Sequence, residues 1–366
     1  MTNIFINIIM KQWLYNIYFN YAILPLSIIF TFIIYLRNII SKKNINAYNQ
    51  IPIIVVGNIF VGGTGKTPVV MCIIKRLKKI GMKPGFISRG YGTKIGNTPI
   101  IGNERINFKF FGDEPYLISI NTKIPLSINF NRKKSLKSLI NHHPSIDIIV
   151  SDDGLQNLKI PRDLEIIVQD TRGIGNGLII PSGPLRDIPK KILESNFLIT
   201  NLDIYKKNIK YYFKYRKFLY DNSFNFFNDL KKIKKNKKIF FNLKPVFALN
   251  RLNNKYVTLK EIADISLKKR ILAIAGIGKP KRFFNMLKYF KVKLYGIKEL
   301  PDHFNFNYEI IDKNIDFILV TSKDLIKFLK NDARVWEIYV DLIINYPYFV
   351  DKFINFLICN KYIYSK

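Results

Sequence analysis

Residues 51–80 read IPIIVVGNIFVGGTGKTPVVMCIIKRLKKI: an apolar run, a glycine-rich turn, then apolar residues at helical spacing. Strand, glycine turn and helix in that order form the context of a phosphate-binding loop. Gly62, Gly63 and Gly65 let the backbone curl so that several N–H groups face one anion. The helix behind them adds the unpaired amides and positive dipole end of its first turn. Lys66 can reach the β- and γ-phosphates and the Thr67 hydroxyl can ligate Mg²⁺. The nucleotide-binding candidates are therefore Phe60, Val61, Gly62, Gly63, Thr64, Gly65, Lys66 and Thr67. The strict pattern asks for Gly at position 60, where this chain has Phe60; the bland alternative is a glycine turn with a chance Lys-Thr behind it.

Working outward, 366 residues allow about two domains. The formal charge of +33 resembles a nucleic-acid signal, but Ile, Asn and Lys saturate the whole chain, as under a base-composition bias. The expectation is no nucleic-acid partner and a basic surface suited to anionic lipid or a phosphorylated substrate. Cys72 and Cys359 lie too far apart in sequence to suggest a disulfide framework or zinc cluster, and three His leave little for a His-rich metal site.

Upstream, no charged residue occurs between Lys11 and Arg37, a span of 25 residues that a helix would extend to about 37 Å. That could cross a bilayer or lie in its interface, with Trp13 and neighbouring Tyr residues as anchors. A buried helix of a soluble domain is the alternative. Arg37, Lys42 and Lys43 outnumber Lys11, which leaves the bulk of the chain on the cytoplasmic side. No small-residue cleavage site follows, so a removed signal peptide is not expected.

Downstream, Pro84 to Ser88 is a strand that runs into Arg89-Gly90-Tyr91-Gly92. Asp113, in Gly112-Asp113-Glu114-Pro115, reads on pattern alone as a helix cap. Ile146 to Val150 is an apolar strand that ends in Ser151-Asp152-Asp153-Gly154, the place where a phosphate-loop enzyme carries its Mg²⁺-binding acid. Leu164 to Val168 and Phe197 to Thr200 are further strands. Between them, Pro181 to Asp187 is a turn-rich loop whose Arg186 could clamp phosphate or pair with an acid. Residues 202–238 read as helix, loop and linker. Ile239 to Thr258 reads as two strands around Asn253-Asn254. Arg270 to Ala275 leads through Gly276-Ile277-Gly278-Lys279-Pro280 to a helix from Arg282, without the third glycine of a dinucleotide site. Leu294 to Ile297 and Phe317 to Thr321 complete the strands, and Thr321 to Asp324 opens a last helical stretch. His303 stands alone; a lone His is more often structural than catalytic.

Taken together, VVGN-x3-GGTGKTP, SRGYG, GDEP, SDDGLQ, RDLEI, GNG-x3-PSGPLR, AIAGIG-x-P-x-RFF, PDH and T-x-KD resemble, in order and over nearly the whole chain, the tetraacyldisaccharide 4′-kinase family of lipid A biosynthesis. The family itself lacks Gly at position 60. The resemblance implies an inner-membrane enzyme on the cytoplasmic face. It would pass the γ-phosphoryl of ATP to the 4′-hydroxyl of a tetraacylated glucosamine disaccharide 1-phosphate, with Mg²⁺. The implied fold is α/β: a P-loop NTPase-like, mostly parallel sheet with flanking helices, a membrane-associated N-terminal helix, and a smaller α/β domain joined by a two-stranded linker. Mapped here, these parts are residues 1–45, 46–238, 239–258 and 259–366, in a monomer. It also implies a carboxylate–histidine dyad, Asp113 with His303. Lys66, Asp153 and Arg186 complete the expected catalytic set, and Thr67 with Asp152 the expected metal ligands. Three positions depart from the family pattern: Asn157 where DDGLQH ends in His, Ser322 for Glu, and Asp187 for Glu. They suggest drift and lowered activity. The rival readings are a partitioning-type membrane ATPase, which would need Lys at position 61 where Val61 stands, and a membrane–nucleic-acid binder without catalysis.

Overall fold

The computed structural model describes Ile9, Gln12, Trp13 and residues 16–42, 51–90, 93, 96–102, 108–205, 238–302, 304, 312–327, 332–346 and 348–359. Two compact units divide the chain: Met1–Asn201 with Asn228–Phe241 and Ile344–Lys366, and Leu202–Phe227 with Asn242–Ile343.

In the first unit, the uncharged N-terminal span breaks at Ile23 into α1 (Ile17–Ala22) and α2 (Leu24–Lys42). Pro25 falls in the first turn of α2, where its missing N–H has no helical partner to lose. Among the described residues no helix is long and apolar enough to cross a membrane. One face of α2 is buried at Ser27 and Ile34; Ile28, Ile29, Phe32, Ile33 and Ile40 stand exposed on the rest.

Behind these helices the sheet is built from β1 (Ile53–Gly57), β2 (Pro84–Ser88), β3 (Ile100–Gly102), β4 (Leu126–Ile128), β5 (Ile148–Asp152), β6 (Leu164–Asp170), β7 (Phe197–Asn201) and the start of β8 (Lys238–Asn250). Its order is β8-β7-β6-β1-β5-β2-β4-β3, parallel except for β3. The central strands are buried along their whole length, which is why they read as continuous apolar runs rather than alternating ones. β1 sits between β5 and β6, and the chain passes from one side of it to the other between those two strands. Crevices beside such a crossing, at the carboxyl ends of the strands, are where open α/β sheets take ligands. The register pairs Val56 with Asp152, so the acidic strand end lies beside the start of the glycine turn. Asp163 fixes β1 from its other end, accepting from the Ile53 amide at 2.8 Å.

Helices flank this unit's strands. In α3 (Lys66–Lys79), Val69, Val70, Ile73, Ile74 and Leu77 are buried, and Arg76, Lys78 and Lys79 sit in the last turn, where the helix dipole favours cations. α4 spans Asp113–Thr122 and α5 spans Arg132–His142.

In the second unit, β8 continues and pairs antiparallel with β9 (Lys255–Thr258) across the Asn253-Asn254 turn, as expected. α6 (Leu259–Ile265) opens with a capping box between Thr258 and Glu261. β10 (Ile271–Ala275), α7 (Pro280–Tyr289), β11 (Gly296–Glu299), β12 (Phe317–Thr321) and β13 (Val335–Ile344) follow. The strand order is β11-β10-β12-β13-β8, with β10, β11, β12 and β13 mutually parallel. The strand expected at Leu294–Ile297 begins two residues later. After Thr321 the helix is a single turn, Ser322–Leu325, and the ten-residue β13 lies where a helical stretch was expected. Only the first half of β13 is buried, and Glu337 within it is covered by an ion pair to Arg251. α8 (Phe349–Cys359) then belongs to the first unit.

Candidate active site

The glycine turn uses two of its glycines for left-handed backbone: Gly62 and Gly65 both have φ +91°. Gly65 is the residue before α3, so Lys66 and Thr67 start the helix and the first-turn amides face the turn. Phe60 explains why no glycine is needed there. It forms an antiparallel bridge with Leu185, its side chain is buried, and the Arg172 guanidinium lies 4.0 Å over its ring. The arm before the turn is thus extended backbone that any side chain can occupy. The Val61 amide donates to Pro184 O (2.8 Å) and the Arg186 amide to Ile59 O (2.7 Å), which staples the Pro181–Asp187 loop to the turn. The same loop meets the N-terminal helices: Trp13 Nε1 donates to Pro181 O (2.6 Å) and Ser27 Oγ to Ile179 O (2.7 Å).

At the mouth of the turn, Asp153 gathers two cations. Its Oδ1 lies 3.2 Å from Lys66 Nζ and 2.9 Å from Arg186 Nη2. Burial pushes the Asp153 carboxyl up, but Lys66 and then Arg186 outweigh it and hold the group well below the usual carboxylate range. Its backbone is left-handed, φ +48°, which turns the side chain out of β5 toward those cations. Asp152 is different. It is buried, it accepts from the Asp153 amide at 2.8 Å, and burial pushes its carboxyl up to about 6 against the pull of Lys66. Adjacent acids therefore hold their charge differently because only one is ion-paired.

Asp113 is the first residue of α4, with Gly112 as the cap, so the cap reading is displaced by one residue. The following Glu114 lies close enough to raise the carboxyl of Asp152. His303 lies outside the described residues, as do Tyr91 and Gly92 and residues 206–237. Sequence reasoning missed Asn58, Arg132, Arg172 and Asn201. Arg132 is buried, donates to Asp152 O at 2.7 Å, and is lowered to about 10 by burial. Asn58 accepts a short hydrogen bond from Arg186 and donates to the glycine turn. Its place at a strand end, within the quoted VVGN stretch, was the available signal.

A family model described as LpxK: Tetraacyldisaccharide-1-P 4′-kinase matches residues 19–357. The chain belongs to that family. Tetraacyldisaccharide 4′-kinase of Haemophilus influenzae is 35% identical over 360 residues, covering 94% of this chain and 97% of the relative. Those of Pasteurella multocida and Bordetella petrii are 34% and 36% identical, over 89% and 81% of this chain and 91% and 79% of theirs. A crystal structure of "apo" form LpxK from Aquifex aeolicus in complex with ATP superimposes with a TM-score of 0.71 at 25% identity, over 92% of this chain and 99% of that one. Within the tetraacyldisaccharide 4′-kinase family, the three departures sit as follows. Asn157 occupies a turn, where its side chain accepts from the Lys159 amide. Ser322 begins the one-turn helix after β12. Asp187 is fully buried, 3.5 Å from Lys191 Nζ and 3.9 Å from Arg37 of α2.

Proposed function

We propose that this kinase moves the γ-phosphoryl of ATP to the 4′-hydroxyl of a tetraacyl-glucosamine disaccharide 1-phosphate, with Mg²⁺, at the cytoplasmic face of the inner membrane. ATP-dependent tetraacyldisaccharide 4′-kinase activity in lipid A biosynthesis comes with family membership. The observation that carries the residue assignments is the meeting of Lys66, Asp153 and Arg186 at the mouth of the glycine turn.

Residues 60–67 cradle the triphosphate. Lys66 and Arg186 are already within reach of one carboxylate, and both have charge to offer the γ-phosphoryl when it arrives. Asp153 orders these two cations. Paired with both cations, it is held below the usual carboxylate range and is a weak proton acceptor in this arrangement. The sugar hydroxyl needs a base, and the reading gives that role to His303 oriented by Asp113, which the resemblance alone supports. The donor set suits Mg²⁺: the Thr67 hydroxyl and Asp152 carboxylate are hard oxygen ligands, and no group of three His, Cys, Asp or Glu occurs among the described residues, so phosphate and water would complete the shell. When bound, Mg²⁺ neutralises charge on the transferring phosphoryl group. The exposed apolar face of α2 supports docking on the membrane that holds the substrate. The division into residues 1–45, 46–238, 239–258 and 259–366, and the monomeric state, belong to the same proposal.

The test is incubation with ATP, Mg²⁺ and the lipid disaccharide 1-phosphate, following labelled phosphate into lipid. ATP hydrolysis with no lipid product would overturn the reading. In the same assay His303→Ala lowers kcat by about 10²-fold or more with ATP affinity retained; unchanged turnover removes His303 from the mechanism.

A further inference from the structure

Four carbonyls of the glycine turn accept hydrogen bonds from three side chains, of which only Asn58 falls within a quoted motif. Asn58 Nδ2 donates to Phe60 O (2.9 Å) and Gly62 O (3.2 Å), and also to Thr64 Oγ1 (3.2 Å). Arg172 Nη2 donates to Gly63 O (3.2 Å). Asn201 Nδ2 donates to Thr64 O (3.2 Å). In a planar trans peptide the C=O of one residue and the N–H of the next point in opposite directions. Holding the oxygens of residues 62, 63 and 64 toward these side chains therefore directs the amides of Gly63, Thr64 and Gly65 away from them.

Each gripping side chain is itself held. Arg172 is forked onto Asp170 at the end of β6, with Nη2 at 2.9 Å from Oδ2 and Nε at 3.0 Å from Oδ1, and Asp170 is buried. Its flat face rests on Phe60. Asn201 is buried at the end of β7, so close to Gly65 that a Cβ there would meet its Nδ2 at 2.4 Å. Asn58 is buried at the end of β1 and accepts from Arg186. The supports thus come from the carboxyl ends of three neighbouring strands, whose positions the sheet fixes.

We propose that Asn58, Arg172 and Asn201 form a carbonyl clamp that sets the glycine turn in its anion-binding curl before nucleotide arrives. They are positioning residues: they act on ATP through the backbone amides. The inference rests on the kinase reading above. Without the clamp, the turn must be ordered by the nucleotide itself, and affinity falls by the fraction of time the curl is formed. The effect is confined to phosphate-bearing ligands.

The experiment compares ATP, ADP and adenosine binding by calorimetry, and the Michaelis constants for ATP and lipid, in wild type, Asn201→Ala, Arg172→Lys and the double variant Asp170→Asn with Arg172→Met. The double variant avoids leaving a buried carboxylate without its cation. Asn201→Ala weakens ATP and ADP by about 3- to 10-fold, the loss of one neutral hydrogen bond. The double variant does the same or more, and Arg172→Lys falls between it and wild type. Adenosine affinity and the lipid Michaelis constant stay at wild-type values. Melting curves establish which variants fold, and Asn201→Ala carries the test if the double variant does not. Unchanged ATP affinity in folded variants overturns the clamp, as does equal weakening of ATP, adenosine and lipid. A wild-type chain that binds no ATP overturns the kinase reading and the clamp with it.

Discussion

Replacing Gly65 by Ala isolates the backbone geometry of the turn. At φ +91°, ψ 33°, an L-residue is strained; the left-handed penalty is about 1–2 kcal/mol. The added Cβ also meets Asn201 Nδ2 at 2.4 Å, so the amide must withdraw and its bond to Thr64 O breaks, for about 1 kcal/mol more. Together these give about 2–3 kcal/mol, which the turn escapes by leaving its curl, so apparent ATP affinity falls about 30- to 150-fold. Gly62 is the control. It has the same φ of +91° but nothing within 4 Å of an added Cβ, so Gly62→Ala incurs the backbone strain alone, about 5- to 30-fold. The assay is titration with a non-hydrolysable ATP analogue, repeated in an Asn201→Ala background. There, the excess cost of Gly65→Ala over Gly62→Ala disappears. Equal effects at the two glycines, or an excess that survives removal of Asn201, would refute the reasoning.

Three further outcomes follow from other parts of the fold. The Asp152 carboxyl is raised by burial from 3.8 to about 6, so the stability it lends is complete below about 3.8 and lost as pH rises through about 6; Asp152→Asn therefore abolishes transfer yet makes the protein about 3 kcal/mol more stable than wild type at pH 7.5, and denaturant titrations at pH 4 and 7.5 that give the same difference contradict this. Placing Asp at Ile28 and Phe32 on the exposed face of α2 lowers co-sedimentation with anionic vesicles by about 10-fold or more, since each buried side chain is worth about 1.5–3 kcal/mol. Thr258→Ala removes the capping box of α6 and lowers stability by about 0.5–2 kcal/mol in urea unfolding, with the ATP Michaelis constant unchanged.

Much of the first unit was legible because its signals are local. The turn at residues 57–67 announces itself by glycines, and β1, β5 and β6 by runs of Ile, Val and Leu that suit a sheet covered on both faces. The acid pair followed from its place at a strand end. What escaped was held by distance in sequence. Arg172 grips Gly63 across 109 positions and Asn201 grips Thr64 across 137; no periodicity or motif links such pairs. β3 and β4, three residues each, are too short for an alternation to register. β13 carries Glu337 and Asp341 within an apolar run, and its pattern becomes sensible only once Arg251 is seen to cover Glu337. The left-handed turn of Asp153 is likewise invisible without coordinates, although it decides that Asp153, rather than Asp152, takes up Lys66.

The last helix has a bearing on how the chain is made. α8 rejoins the first unit after the chain has left it for Asn242–Ile343. There Asp351 forks onto Arg76 of α3, Tyr348 lies under the same guanidinium, and Phe349 meets Phe197 of β7 edge-on. The helix that begins at the glycine turn thus receives supports that are translated only after Asn242–Ile343. A nascent chain can assemble most of this unit early, yet α3 gains these contacts only once the second unit has been made. A premature stop near position 345 would therefore yield a protein with every motif intact and a loosened grip on ATP.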